Sequence, residues 1–135
     1  MIQNESSIFG VDVDALVRVF RDEVKHDLRI LAEFDDDSFE HLYVSDEVLD
    51  EYDGEGGYLD RMSTVESFLR ADLLERDAYT ALVPQAGEAH LFVTQTENQL
   101  FVRIFDDDRA LFACVVDHGP IDTVVEKLED AIDAH

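Results

Sequence analysis

Lysine is nearly absent from this sequence. Lys25 and Lys127 are the only two in 135 residues, and arginines bring the basic residues to just 10. A nucleic-acid backbone is held by clustered cations, so nucleic acid is excluded as a partner. Anionic membrane surfaces are excluded on the same ground. A single cysteine, Cys114, rules out an intramolecular disulfide framework and a multi-thiolate zinc site. No run of residues approaches the ~20 apolar positions of a membrane span. The opening MIQNESSIFG has neither a basic region nor a long apolar stretch, so it does not read as a signal peptide. The expectation is a soluble cytoplasmic protein.

Acid is what the chain has in excess. Its 33 Asp and Glu residues set a formal net charge of −23, with Asp more frequent than Glu, yet 46% of the residues are apolar. That apolar content is enough for one domain with its own core. Net charge this large destabilises a compact state by self-repulsion. At about 1 M salt the Debye length is only about 3 Å, which removes most of that repulsion. Low lysine, high aspartate and a full core therefore point to a halophilic cytoplasm. A nucleic-acid mimic would need its charge on one face, whereas these acids are spread along the whole chain.

Periodicity divides the chain into elements. Val13, Val17, Phe20 and Val24 mark a first helix, with Asp12 as its N-cap and Val11 and Leu16 as a hydrophobic staple. Lys25 and His26 stand at its end, where cations suit the helix dipole. Leu28 to Phe34 and Phe39 to Val44 read as paired strands. SDEVLDEY reads as a short helix and DGEGG (53–57) as a flexible acidic loop. Ser63 and Glu66 form a capping box for a longer helix reaching about Leu82. Three strands follow, roughly His90–Gln95, Gln99–Phe105 and Arg109–Val116, and Gly119-Pro120 opens a last helix. Leu111, Ala113 and Val115 alternate with Phe112, Cys114 and Val116, so that strand is apolar on both faces and must be covered on both.

The middle helix is apolar on more than one stripe, which means burial on more than one side. A second copy of the protein would cover the outer side. The alternative is a break near Arg76-Asp77 into two shorter helices.

The motif FDDD stands twice, at Phe34–Asp37 and Phe105–Asp108. Neither copy has the alternating ligands, glycine and closing glutamate of a helical calcium loop. Aspartate tolerates the left-handed backbone of a short hairpin loop, so both copies read as turns. At an offset of 71 residues, strand, turn, strand, Asp and helix recur, with Asp46 matching Asp117. The histidines 26, 41, 90, 118 and 135 form no HxH, HExxH or HxxxH pair. His41, His90 and Cys114 fall on strands that neighbour one another in one arrangement, which would permit a three-ligand or Cys-His site. Cys114 inside LFACVV otherwise reads as a small buried hydrophobe. No phosphate-binding glycine loop is present. No cofactor, metal or catalytic residue is expected, and the chain reads as no enzyme.

Two resemblances follow from these motifs. The segment DLRILAEFDDDSFEHLYVSDEVLDEY, residues 27–52, resembles a family of small acidic haloarchaeal proteins without an established activity. The order helix, two strands, helix, three strands, helix is similar to that of roadblock/LC7 domains, as is the closing LFVRIFDDDRALFACVVDHGPIDTVVEKLEDAI. That second resemblance implies a non-catalytic homodimer that regulates or scaffolds small GTPases, pairing partly through the middle helix. The first hairpin lacks the usual Asp-Gly turn, and residues 45–62 are additional.

The expected architecture is one α+β domain over residues 1–135. Its sheet is five-stranded and mainly antiparallel, with helices on both faces, in the roadblock-like order α-ββ-α-βββ-α. The expected function is a homodimeric, non-catalytic interaction or regulatory module, with Val65, Phe68, Leu69, Leu73 and Leu74 near the two-fold axis. Its partners are itself and another protein such as a small GTPase. The alternative is a small-ligand sensor with a pocket between the middle helical region and the sheet, gated by DGEGG.

Overall fold

The computed structural model describes residues 1–24, 27–116 and 121–134, with the Phe68 side chain outside that set. Lys25, His26, Asp117, His118, Gly119, Pro120 and His135 lie outside the described residues, and with them the proposed cationic helix end, the Asp46–Asp117 match and the Gly-Pro helix start. The elements are β1 (Ile2–Gln3), α1 (Val13–Asp22), β2 (Leu28–Phe34), β3 (Phe39–Val44), α2 (Asp46–Glu51), α3 (Glu55–Arg70) and α4 (Asp72–Leu82). A 3-10 turn at Pro84–Ala86 leads to β4 (Leu91–Gln95), β5 (Gln99–Asp106), β6 (Arg109–Val116) and α5 (Asp122–Asp133).

One antiparallel sheet runs in the order β1-β3-β2-β6-β5-β4. It has six strands where the sequence predicts five. The additional strand is the two-residue β1, too short to carry a period, which pairs Ile2 with Val44 and Gln3 with Tyr43. The five expected strands are all present. Alternation on the inner strands sorts their side chains as predicted. Leu100, Val102, Ile104, Leu111, Ala113 and Val115 pack with Val13, Leu16 and Phe20 of α1 and with Val124 and Leu128 of α5. Phe105, Phe112 and Cys114 take the other face, with Phe34, Leu73 and the half-buried Leu69. Strands buried on both faces cannot alternate with polar residues, hence the unbroken apolar run from Ala110 to Val116.

A side-chain cap forms at two helix starts, the expected one at Asp12 and a further one at Ser45. The Asp12 carboxylate accepts from the Ala15 N–H at 3.0 Å, and Ser45 caps α2 through the Val48 N–H at 3.3 Å. The middle region differs. DGEGG is a loop only at Asp53 and Gly54, because α3 already begins at Glu55. Gly54 at φ +98° turns the chain, and a Cβ on Gly57 would sit 1.8 Å from the Tyr52 carbonyl oxygen. Only glycine fits there, and the close approach lets Tyr58 bury completely against Val44, Val48 and Leu49. Ser63 lies inside α3 and donates to the Asp60 carbonyl, so the Ser63–Glu66 capping box is not used. The helical region breaks at Ala71, five residues before the predicted break at Arg76-Asp77.

Candidate interaction surface

Four of the five expected interface side chains can be placed. Leu73 is buried in the core beside Phe34, Phe105 and Phe112, while Leu69 is half-buried on the same cluster. Val65 is half-buried, and the Phe68 side chain lies outside the described residues. Only Leu74 faces solvent, with 75% of its surface exposed. The break at Ala71 turns α4 so that Leu73 lies on the sheet and the opposite side is uncovered.

The exposed apolar surface continues from Leu74 along the C-terminal half of α4. Tyr79, Leu82 and Val83 are exposed, Leu82 at 76%, and so are Leu91 and Val93 on β4. Between α4 and β4 runs a groove of about 580 Å³, walled by Tyr79, Leu82, Val83 and Phe92, with Arg103 at its floor. Arg103 is largely buried, paired with Asp72 at 3.1 Å, and its guanidinium lies 5.8 Å from the Phe92 ring centroid. Phe92 meets Tyr79 edge-on on one side and Phe105 on the other. These contacts fix α4 against β5 and hold the groove open.

This region has a sequence signal that periodicity does not reveal. Of 135 residues 33 are acidic, yet AYTALVPQAGEAHLFVTQT, residues 78–96, contains one acid, Glu88, and no Lys or Arg. Nearly all of those residues are exposed. The uncharged run at residues 110–116 is buried except at its last residue. In residues 78–96 the chain loses charge at the surface. The segment also includes β4, which is an edge strand paired only with β5. Natural edges are usually blunted by charge, bulges or short length, and LFVTQ has no charged residue. The opposite edge is covered by the short β1.

The other motifs have structural roles. In the first FDDD, the Asp35 carboxylate accepts from the N–H of Asp37 at 2.9 Å and of Ser38 at 2.8 Å. The Asp37 N–H, chiefly, holds the Asp35 carboxyl below its usual range. In the second, Asp106 pairs with Arg109 across a two-residue loop, and Asp107 takes φ +54°. Both are hairpin turns, with loops of four and two residues. They lie side by side, because Phe34 pairs with Ala110. Arginines from the middle region reach both: Arg70 donates to the Asp35 carbonyl at 3.3 Å, and Arg76 donates to that of Asp107.

His41, His90 and Cys114 are not brought together. β3 and β4 are four strand positions apart in the sheet order, roughly 19 Å at ~4.8 Å per strand. His90 precedes β4 and is exposed, whereas His41 is buried between Phe39 and Tyr58, 5.1 and 5.2 Å from their ring centroids. Burial pulls the His41 imidazole below its ordinary pKa and drives the Tyr58 hydroxyl well above its own. Burial also pushes the Cys114 thiol up to about 12, so it is protonated at neutral pH and lacks the thiolate a nucleophile needs. No group of three or more metal-ligating side chains forms among the described residues. None of the described helices is long and apolar enough to cross a membrane.

A family model described as a domain of unknown function (DUF7522) matches residues 14–134. No curated protein and no solved structure matches the chain.

Proposed function

The chain belongs to the DUF7522 family, and we propose that it is a non-catalytic interaction or regulatory module that acts as a homodimer in a halophilic cytoplasm. The observation that supports this reading is the exposed, nearly uncharged surface of residues 78–96. Two bodies of net charge −23 repel wherever acid meets acid. The α4–β4 surface, where Glu75 and Glu88 are the acids lining the groove, is where two copies can approach with little of that cost, and its apolar side chains gain by leaving water. An antiparallel edge strand facing its own copy is related by a two-fold axis, which closes the assembly at two. The interface therefore centres on Leu74, Tyr79, Leu82 and Leu91 rather than on Val65 to Leu73. Counted without β1, and with α2, α3 and α4 taken together as one middle helical region, the element order is compatible with the roadblock-like reading and with it a further protein partner such as a small GTPase.

Light scattering at about 100 μM in 2 M KCl tests the proposal. The expected species is a dimer, and Leu82→Glu should give a folded monomer. A monomeric unmodified chain would overturn the reading. The groove supports a second reading, a small-ligand sensor, because it joins apolar walls to a largely buried Arg103.

A further inference from the structure

We infer that residues 2–9 are a built-in edge guard, a strap that closes β3 against strand pairing with a second copy. β3 is the outermost long strand at its end of the sheet, and Phe39–Val44 contains one charged residue, Glu40. Such a strand is a template for another chain unless something occupies it. Residues 2–4 occupy it. Ile2 pairs with Val44 and Gln3 with Tyr43. The Asn4 N–H donates to the Leu42 carbonyl at 2.9 Å, and the Asn4 side-chain amide donates to the His41 carbonyl at 2.8 Å. The outer rim of β3 is thereby taken from His41 to Val44.

Two residues, an acid and a base, then latch the strap. Glu33 on β2 is fully buried and accepts from the Ser6 hydroxyl at 2.5 Å and the Ile8 N–H at 2.9 Å. Arg109 donates to the Ile8 carbonyl at 2.8 Å, and its guanidinium lies 4.3 Å from the Phe9 ring centroid. Phe9 itself enters the core beneath α1. A short element paired over two positions has little intrinsic hold, so the latch at residues 6–9 is what keeps β1 in place. The family match begins at residue 14, after the strap.

The occupant excluded is β3 of a second copy. A two-fold axis between His41 and Leu42 would set Glu40 opposite Tyr43 of that copy, so the strand's one charge would meet no like charge. With the guard removed, the molecule has a second assembly edge independent of α4–β4.

Deleting residues 1–5 opens the rim while keeping Phe9 and the Glu33 contacts to Ser6 and Ile8. In 2 M KCl at about 100 μM the truncated chain should have at least twice the intact chain's mass, with β3 amides protected from hydrogen exchange. A folded truncated chain of unchanged mass would overturn the inference. A chain that no longer folds would overturn it too, since residues 1–5 would then belong to the core. Asn4→Pro in the full chain removes both Asn4 bonds to β3 and should raise the mass in the same direction. A folded Asn4→Pro protein with freely exchanging β3 amides and unchanged mass would equally count against it.

Discussion

Glu33 and Glu40 stand directly opposite each other across β2 and β3, and consecutive serines separate their charges. Ser6 donates to Glu33 at 2.5 Å and Ser7 to Glu40 at 2.6 Å. Like charges directly opposite are destabilising, and a fully buried carboxylate is costly without donors. The strap supplies the donors. Hydrogen bonds to charged groups are worth about 1.5–3 kcal/mol, so Ser6→Ala should lower stability by about that amount in urea unfolding at constant KCl. Ser7→Ala, at an exposed contact, should lower it by less. Equal effects at the two serines would mean that Glu33 draws no special support from the strap.

His41 predicts a pH dependence. Its folded pKa lies below the unfolded value of 6.5 because burial disfavours the imidazolium. Below that value the unfolded chain binds the extra proton, so stability is full above it and falls as the pH drops through the depressed folded pKa. His41→Phe should flatten the dependence between about pH 6.5 and 5, above the range where carboxylates titrate. Parallel melting curves for the two proteins across that window would show that His41 is not its source.

The second Asp triplet predicts a stabilising substitution. Asp107 sits at φ +54°, where glycine has no side-chain penalty. Asp107→Gly should therefore keep the fold and raise stability by up to about 1 kcal/mol, while Asp107→Val should lower it. Calcium titration in 2 M KCl should show no heat of binding for either the original or the glycine protein. A micromolar isotherm lost on substitution would assign the turn to a cation instead.

Salt should govern the whole molecule. With a net charge of −23, thermal stability should rise strongly between about 0.1 and 2 M KCl. A midpoint indifferent to KCl across that range would remove the argument for a halophilic cytoplasm.

The five long strands, the first and last helices and the double-sided burial of β5 and β6 were legible in the sequence, because each depends on periodicity or on a local cap. Phe112 opposes Leu111 whatever surrounds them. Asp12 can cap Ala15 within a single turn. The halophilic reading rests likewise on composition, which needs no fold. Other features depended on long-range contacts. Two residues at Ile2–Gln3 have no period, so only the rim of β3 makes them a strand. DGEGG has the composition of a loop, yet the burial of Tyr58 and the close approach of Gly57 to the Tyr52 carbonyl make its last three residues helical. The expected interface set spanned several stripes of one assumed helix. The break at Ala71 sent Leu73 inward and left Leu74 outside, because α4 also had to bring Asp72 to Arg103 and Arg76 to the Asp107 turn. The nearly uncharged run at 78–96 was present in the sequence, but its meaning came from exposure. Apolar residues without charge read as core until the fold places them at the surface. Local chemistry thus determined which segments become strands and helices, and tertiary packing decided which of their faces water can reach.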